Sequence, residues 1–408
     1  MKHLIKKENN IIHGTLGWSH NGKDGQYCEA GETVRITWQP NAGWGLKEVH
    51  YTDGDGNVVA IEGGEFVMPD SAVVIGGTFK RFFLSDWADN PYDPKPKPKF
   101  LTFTAGEGGA SVGFWYYSEN ATVVDAGKQV EFSTDGVTWQ PYTIGNADND
   151  ETPTMIALDK DESVMFKGVN PDGLSFYVED DNDYEWLAFV INGSVAASGD
   201  VTSLINGVGG DVVIHNSDFR GMFNGCTGLT TAPSLPATTL ADNCYNYMFS
   251  GCTGLTTAPS LPATTLANGC YSSMFNGCTG LTSAPSLPAT TLADNCYSSM
   301  FYGCTGLTTA PSLPATTLAN YCYGYMFYGC TGITSYDVAT LNNSQNTFQS
   351  NTSCASLTIH AETPPTIDSS TITGLKADCI IYVPAASVDA YKAAQYWSAR
   401  AAYIQAIQ

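Results

Sequence analysis

Nine cysteines recur in two series at a constant interval of 26 residues: Cys226, Cys252, Cys278, Cys304 and Cys330, and between them Cys244, Cys270, Cys296 and Cys322. Thiols support nucleophilic attack, metal ligation or disulfide formation, and the spacing bears on each. A nucleophilic thiol needs a base beside it, and none of the six histidines, His3, His13, His20, His50, His215 and His360, falls in a regular repeat. No Cys-x-x-Cys or Cys/His spacing of a zinc site occurs, so no metal site is expected. Stacked copies would bring the cysteines of one series close together, but side chains that all point the same way oppose disulfide geometry. A catalytic centre needs one constellation, whereas nine equivalent positions imply packing. Both series are therefore expected as files of buried, reduced thiols, and no catalytic residue is assigned. Neither a Gly-x-Gly-x-x-Gly turn after a strand nor a phosphate loop is present, and no cofactor is expected.

Two acidic runs, Asp148-Asn149-Asp150-Glu151 and Glu179-Asp180-Asp181-Asn182-Asp183, offer hard oxygens that calcium accepts. They lack the spacing of a calcium loop, and charge runs of this kind are ordinarily solvated loops.

The interval dictates how the thiols are held. Copies run from Met222 to Tyr247, Met248 to Ser273, Met274 to Ser299 and Met300 to Tyr325, with a diverging copy from Met326. They share Met-Phe-x-Gly-Cys-Thr-Gly-Leu-Thr-x-Ala-Pro-Ser-Leu-Pro-Ala-Thr-Thr-Leu-Ala-x-x-Cys-Tyr. A unit this short cannot bury an apolar face alone, so stacking into a solenoid is expected. Leu240, Cys244, Met248, Phe249 and Cys252 read as the inner stripe of a short helix, and Leu255-Thr256-Thr257-Ala258 as a strand stopped by Pro259. Positions that packing leaves free vary between copies and gather tyrosines. Tyr302, Tyr321, Tyr325 and Tyr328, with Tyr247 earlier in the array, are the candidate ligand-binding residues. An exposed aromatic patch suits sugars or a protein interface; the other reading is that these rings cover the end of the stack.

Upstream, Thr33-Val34-Arg35-Ile36-Thr37-Trp38 alternates with the period of a half-buried strand, and Asp53-Gly54-Asp55-Gly56-Asn57 is a turn. Residues 1–85 read as a small β domain and a possible anchor. The alternating prolines of 86–99 read as an extended spacer, and residues 100–205, with short strands and frequent turns, as a β-sandwich. The repeats occupy 206–351, and 352–408 form a C-terminal cap. The fold class expected is thus mainly β N-terminal domains followed by an α/β leucine-rich-repeat solenoid with 26-residue repeats and a C-terminal helical cap.

The net charge of −22 over 408 residues disfavours nucleic acid and anionic membranes as partners. No stretch has the length of a membrane span, so no membrane insertion is expected. The first ten residues contain no apolar run or small-residue cleavage site, and an ordinary secretion signal is not expected.

The strand pattern from Thr37 to Tyr51 with Phe66-Val67-Met68-Pro69 and Ile75 to Phe79 resembles internalin-type B-repeat modules of extracellular proteins. The repeat itself, with its Phe-x-Gly-Cys element and following Leu-Thr, resembles the BspA-like leucine-rich repeat family across about residues 205–408. The tail Ile380-Ile381-Tyr382-Val383-Pro384-Ala385-Ala386-Ser387-Val388-Asp389-Ala390-Tyr391-Lys392 with Trp397 resembles that family's C-terminal cap. The resemblance implies a surface protein, commonly an adhesin of gut and oral bacteria, with relatives in the phages that infect them. The functional expectation is a non-enzymatic phage virion protein, a head or tail fibre or decoration, that adheres to the host surface. Its partners would be other virion proteins and a host-surface glycan or protein, and a homo-oligomer is compatible with this role. A bacterial cell-surface adhesin is the alternative, and a hydrolase with a repeat-borne binding module a third reading.

Overall fold

The computed structural model describes residues 2–9, 11, 14–20, 23–24, 26–40, 44–61, 64–81, 99–117, 128–146, 153–178, 183–342 and 346–408. His13, the spacer through residue 98 and the acidic runs at 148–151 and 179–182 lie outside them. The chain divides into two compact units, Met1–Lys97 with Ser133–Trp139, and Pro98–Phe132 with Gln140–Gln408.

The first unit contains β1 (Lys2–Lys7), β2 (Gly14–His20), β3 (Lys23–Asp24), β4 (Tyr27–Glu29), β5 (Thr33–Pro40), β6 (Trp44–Thr52), β7 (Val58–Ala60), β8 (Glu65–Val67) and β9 (Val73–Arg81). They form a five-stranded sheet in the order β4-β1-β9-β6-β7 and a four-stranded sheet in the order β3-β2-β5-β8. Strand alternation explains their association. Val34 and Ile36 are buried while Thr33, Arg35 and Thr37 face water, and the buried row meets Ile5, Val49, Val73 and Ile75 of the other sheet in one core.

The second unit begins with β10 (Leu101–Tyr117), β11 (Val130–Ser133), β12 (Gln140–Pro141), β13 (Gly145–Asn146), β14 (Ile156–Leu158), β15 (Ser163–Gly168), β16 (Phe176–Val178) and β17 (Asp183–Ser198), and continues into β18 (Leu229–Thr231). These nine strands join in a single hydrogen-bonded sheet. β10 pairs along one edge with β17, with a register break between Ala105 and Ala110, and along the other with β15, β14 and β13 in turn. The apolar cluster that starts at Leu101 crosses the boundary expected at residue 205 without interruption and ends at Ile404. Phe189 of β17 stacks on Phe223 of the first repeat at 5.4 Å, so the sheet supplies the surface on which the repeats begin.

The α/β leucine-rich-repeat solenoid and the helical cap do not form. The molecule is mainly β, with 33% of residues in strands and 6% helical. The only α-helices among the described residues are α1 (Ser203–Asn206) and α2 (Val388–Ala393). The stripe through Leu240, Cys244, Met248 and Cys252 has a period of four residues, not the 3.6 of a helix, and it runs along a chain of tight turns. Asn243, Tyr247 and Gly251 have φ of 56°, 55° and 73°, and a left-handed residue at every fourth position is incompatible with an α-helix. The amides alternate accordingly. Cys244, Asn246, Met248 and Ser250 donate to the carbonyls of Ala241, Asn243, Tyr245 and Tyr247, three residues back in the same layer of the repeat array. Asn243, Tyr245, Tyr247, Phe249 and Gly251 donate to Asn268, Cys270, Ser272, Met274 and Asn276 of the next, at 2.7–3.0 Å. The expected Leu-Thr strand is real only at β18; beyond it, single parallel bridges join Thr231 to Thr257 and Thr257 to Ser283.

Side chains follow the same register. Phe223, Phe249, Phe275, Phe301, Phe327 and Phe348 stack consecutively at 5.3–6.2 Å. Phe219, Tyr245, Tyr271, Tyr297 and Tyr323 form a second file at 5.5–6.3 Å. On the surface a third file alternates in charge. Asp242 accepts both the amide N–H and the side-chain N–H of Asn268, and Asp294 does the same for Asn320.

The C-terminal segment is a parallel sheet of β19 (Ser335–Val338), β20 (Ser356–Ile359), β21 (Ile380–Val383) and β22 (Ile404–Ala406). α2 and a 3-10 turn at Trp397–Tyr403 accompany it. Trp397 is fully buried and donates its indole N–H to the Pro365 carbonyl at 3.0 Å.

Substitutions at two positions probe this architecture by thermal melting. Ser299 sits at φ 56°; Ser299→Val is expected to cost about 1–2 kcal/mol through left-handed strain, roughly 2–4 °C per kcal/mol, while Ser299→Gly leaves the melting temperature unchanged or raises it. Asn268→Asp places three carboxylates in one file and removes a donor. Its melting temperature is expected to fall at low salt and to recover as salt screens the repulsion; a deficit independent of both salt and pH would contradict the charge argument.

Candidate functional site

Each repeat cysteine lies where the turn ladder closes on itself. Cys252, Cys278, Cys304 and Cys330 donate their S–H to the carbonyls of Phe223, Phe249, Phe275 and Phe301 in the preceding repeat, at 2.9–3.0 Å. Cys226 opens the file by donating to Phe189 of β17 at 3.3 Å. Cys244, Cys270, Cys296 and Cys322 form the second file, and all nine are buried and unbridged. Burial pushes the thiols of Cys226, Cys278 and Cys330 up to about 12 and those of Cys252, Cys270 and Cys304 well above the ordinary range. Such groups are hydrogen-bond donors and core filling rather than nucleophiles.

The described histidines all face carboxylates: His3 meets Asp70 at 2.8 Å, His20 meets Glu32 at 3.6 Å, His50 meets Glu8 at 3.3 Å, His215 meets Asp218 at 3.4 Å and His360 meets Asp337 at 2.7 Å. Asp218 is fully buried and accepts the amides of Leu174 and His215, which pins that turn. Cys28 escaped notice in the sequence because its neighbours match no ligand motif. It is buried and donates to Glu32 at 3.1 Å, and burial together with that carboxylate pushes its thiol up to about 11.

The tyrosines are placed by two columns of the ladder, the first outward and the second partly covered, with Ser273 buried in it. Asn224, Ser250, Asn276, Tyr302 and Tyr328 occupy one, and Tyr247, Ser273, Ser299 and Tyr325 the other. Tyr302 and Tyr328 stack at 4.6 Å with their planes 1° apart, and Tyr325 meets Tyr328 at 6.2 Å with a tilt of 39°. Each of these three rings is half-buried. Tyr321, one four-residue turn before Tyr325, is 48% exposed. Tyr247 is 41% exposed but precedes Tyr325 by three repeats, about 15 Å at strand-like spacing. The structure thus joins Tyr302, Tyr325 and Tyr328, sets Tyr321 on the adjacent turn and separates Tyr247. The end-cover alternative does not describe Tyr302 and Tyr328, because the array continues past them through the amides of Phe327 and Gly329, which donate to Thr347 and Gln349. Among the described residues, no helix is long and apolar enough to cross a membrane.

The buried thiols make stability dependent on alkali. Unfolded thiols release their protons near the ordinary value of 9.0, whereas folded Cys226, Cys278 and Cys330 hold theirs to about 12. Between those limits the folded chain binds more protons, so the stabilisation is complete below pH 9 and is lost as pH rises, by about 1.4 kcal/mol per pH unit for each such thiol. Thermal melts between pH 7.5 and 10.5 are expected to show a steepening fall, shallower in Cys278→Ala; a flat profile would contradict the buried-thiol assignment.

No protein-family model matches the chain, and no curated protein matches it.

Proposed function

We propose that the protein is a non-enzymatic adhesion protein of a phage particle that holds a bacterial surface glycan, or a glycosylated surface protein, on the tyrosine face of its repeats. The stacked pair Tyr302 and Tyr328, flanked by Tyr325 and Tyr321, carries this reading. Two parallel rings fixed on a rigid backbone ladder offer an apolar face with polar hydroxyl rims, and little conformational freedom is lost when a ligand docks on them. Packing does not require aromatic residues there, since Asn224, Ser250 and Asn276 fill the same column in earlier repeats. The resemblance of the repeat motif to BspA-like surface proteins supports the same role. The repeat thiols, held protonated by burial, are suited to structure and not to bond-making.

Binding of the purified chain to host cells or their extracted surface glycans tests the reading. Tyr302→Ala with Tyr328→Ala is expected to weaken binding by at least about tenfold, in keeping with the loss of two central aromatic contacts, and Tyr247→Ser to leave it unchanged. Unaltered binding in the double variant would refute the tyrosine face, and turnover of the glycan would refute a purely adhesive role. Immunogold labelling of purified phage and of unpermeabilised host cells tests the location. Label at a defined place on virions is expected, and label confined to uninfected cells would move the protein to the bacterial surface.

A further inference from the structure

The first unit holds a cluster that the tyrosine face does not involve. His20 ends β2 in the four-stranded sheet, Cys28 is the middle residue of β4 at the edge of the five-stranded sheet, and Glu32 stands immediately before β5. The chain therefore brings one residue from each sheet, and one from the turn that joins them, to a single point. Glu32 is held there by its own backbone surroundings: its Oε2 accepts the Glu29 amide N–H at 2.9 Å, and the turn is fixed by the amides of Met68 and Gly31, which bond to Glu32 and Met68 carbonyls at 2.8 Å. The same Oε2 receives the Cys28 thiol at 3.1 Å and lies 3.6 Å from His20 Nδ1.

Three observations taken together single this cluster out from the other histidine–carboxylate contacts; the second is shared by His215, which has no third ligand beside Asp218 among the described residues. One ligand atom from each of the three residues lies within 4.8 Å of the other two, and theirs is the only such group found among the described residues. His20 Nδ1 is shielded from solvent and has no hydrogen-bond partner, which leaves a buried lone pair or N–H unsatisfied, a costly arrangement unless something occupies the position. The spacing also fits. Ligands bound at 2.0–2.3 Å to a tetrahedral ion stand about 3.3–3.6 Å apart, so side-chain shifts of roughly 1 Å or less would close the trio on a common centre.

We propose that His20, Cys28 and Glu32 form a three-ligand site for a thiophilic divalent cation of the zinc class, with a fourth position open to water or an exogenous ligand. One thiolate, one imidazole and one carboxylate suit such an ion, whereas calcium and magnesium demand shells of oxygen. On binding, the Cys28 S–H bond breaks, its proton passes to solvent, and a sulfur–metal bond replaces the hydrogen bond to Glu32. The carboxylate keeps its charge and the imidazole binds as the neutral base, so the site gains one positive charge. The bound ion would tie the two sheets of the first unit together where no covalent link does so.

Cobalt(II) added to the full-length chain is the direct probe, because a thiolate ligand gives a near-ultraviolet charge-transfer band and tetrahedral coordination gives intense visible bands. The expected result is one equivalent of cobalt with both signals, displaced by zinc. Cys28→Ser abolishes the charge-transfer band, Cys226→Ser leaves it intact, and His20→Gln weakens cobalt affinity by at least about tenfold, as the loss of even outer-sphere support does in metal sites. Circular dichroism melts without metal establish that each variant is folded. Should Cys28→Ser not fold, His20→Gln decides, since its side chain is partly exposed. Absence of the band in the parent chain, its persistence in Cys28→Ser, or unchanged affinity in His20→Gln overturns the proposal.

Discussion

A backbone that turns every four residues leaves every second amide without an acceptor in its own turn. From Asn243 to Gly251 those amides donate to the repeat that follows, and a buried N–H left unpaired is too costly to tolerate. Each repeat is therefore incomplete alone, and its register on the next is set by main-chain bonds before any side chain is considered. The phenylalanine and tyrosine files, the thiol contacts to phenylalanine carbonyls and the outward columns all inherit that register.

The constraint also explains why the ends differ from the middle. A ladder of this kind must start and finish on something that satisfies its free edge. At the start, β17 pairs with β18, while the Cys226 thiol and the Phe223 ring rest on Phe189. At the finish, divergence of the repeat coincides with the growth of true strands, β19 to β22, whose parallel pairing is regular. Between the ends the inner positions are fixed by stacking, which leaves the outer columns free to carry Asn, Ser or Tyr without cost to the core.

The 26-residue period, the burial of both cysteine series and the alternation of Val34 and Ile36 were legible because each is a pattern of residue types. The turn ladder was not. Its stripe differs from a helical one by less than half a residue per turn, and the positions that demand φ > 0 are filled by Tyr247, Ser273, Ser299 and Tyr325 as well as by glycine, so no glycine signal marked them. The continuity of the nine-stranded sheet was hidden in the unusual length of β10 and β17, whose pairing exists only once the chain is folded. Of the tyrosines, the sequence grouped residues by column and position but could not show that Tyr302 and Tyr328 stack while Tyr247 stands apart. His20, Cys28 and Glu32 come from different elements at unremarkable spacings, and only the meeting of two sheets brings them together.

The surface file Asn216, Asp242, Asn268, Asp294 and Asn320 alternates strictly, and next to it Asn243 and Asn295 are interleaved with Gly269 and Tyr321. A β-carbon at Gly269 would lie 2.3 Å from Asn243 Oδ1 as that side chain is placed, whereas Asn295 accommodates Tyr321 above it. Two successive copies are thus not interchangeable, and the true modular unit is the pair. Loss or duplication of a single copy by recombination would set carboxylate on carboxylate, or asparagine on asparagine, whereas loss or gain of two copies at once would restore the alternation of this file. Natural variation in the length of this array should consequently proceed in even steps.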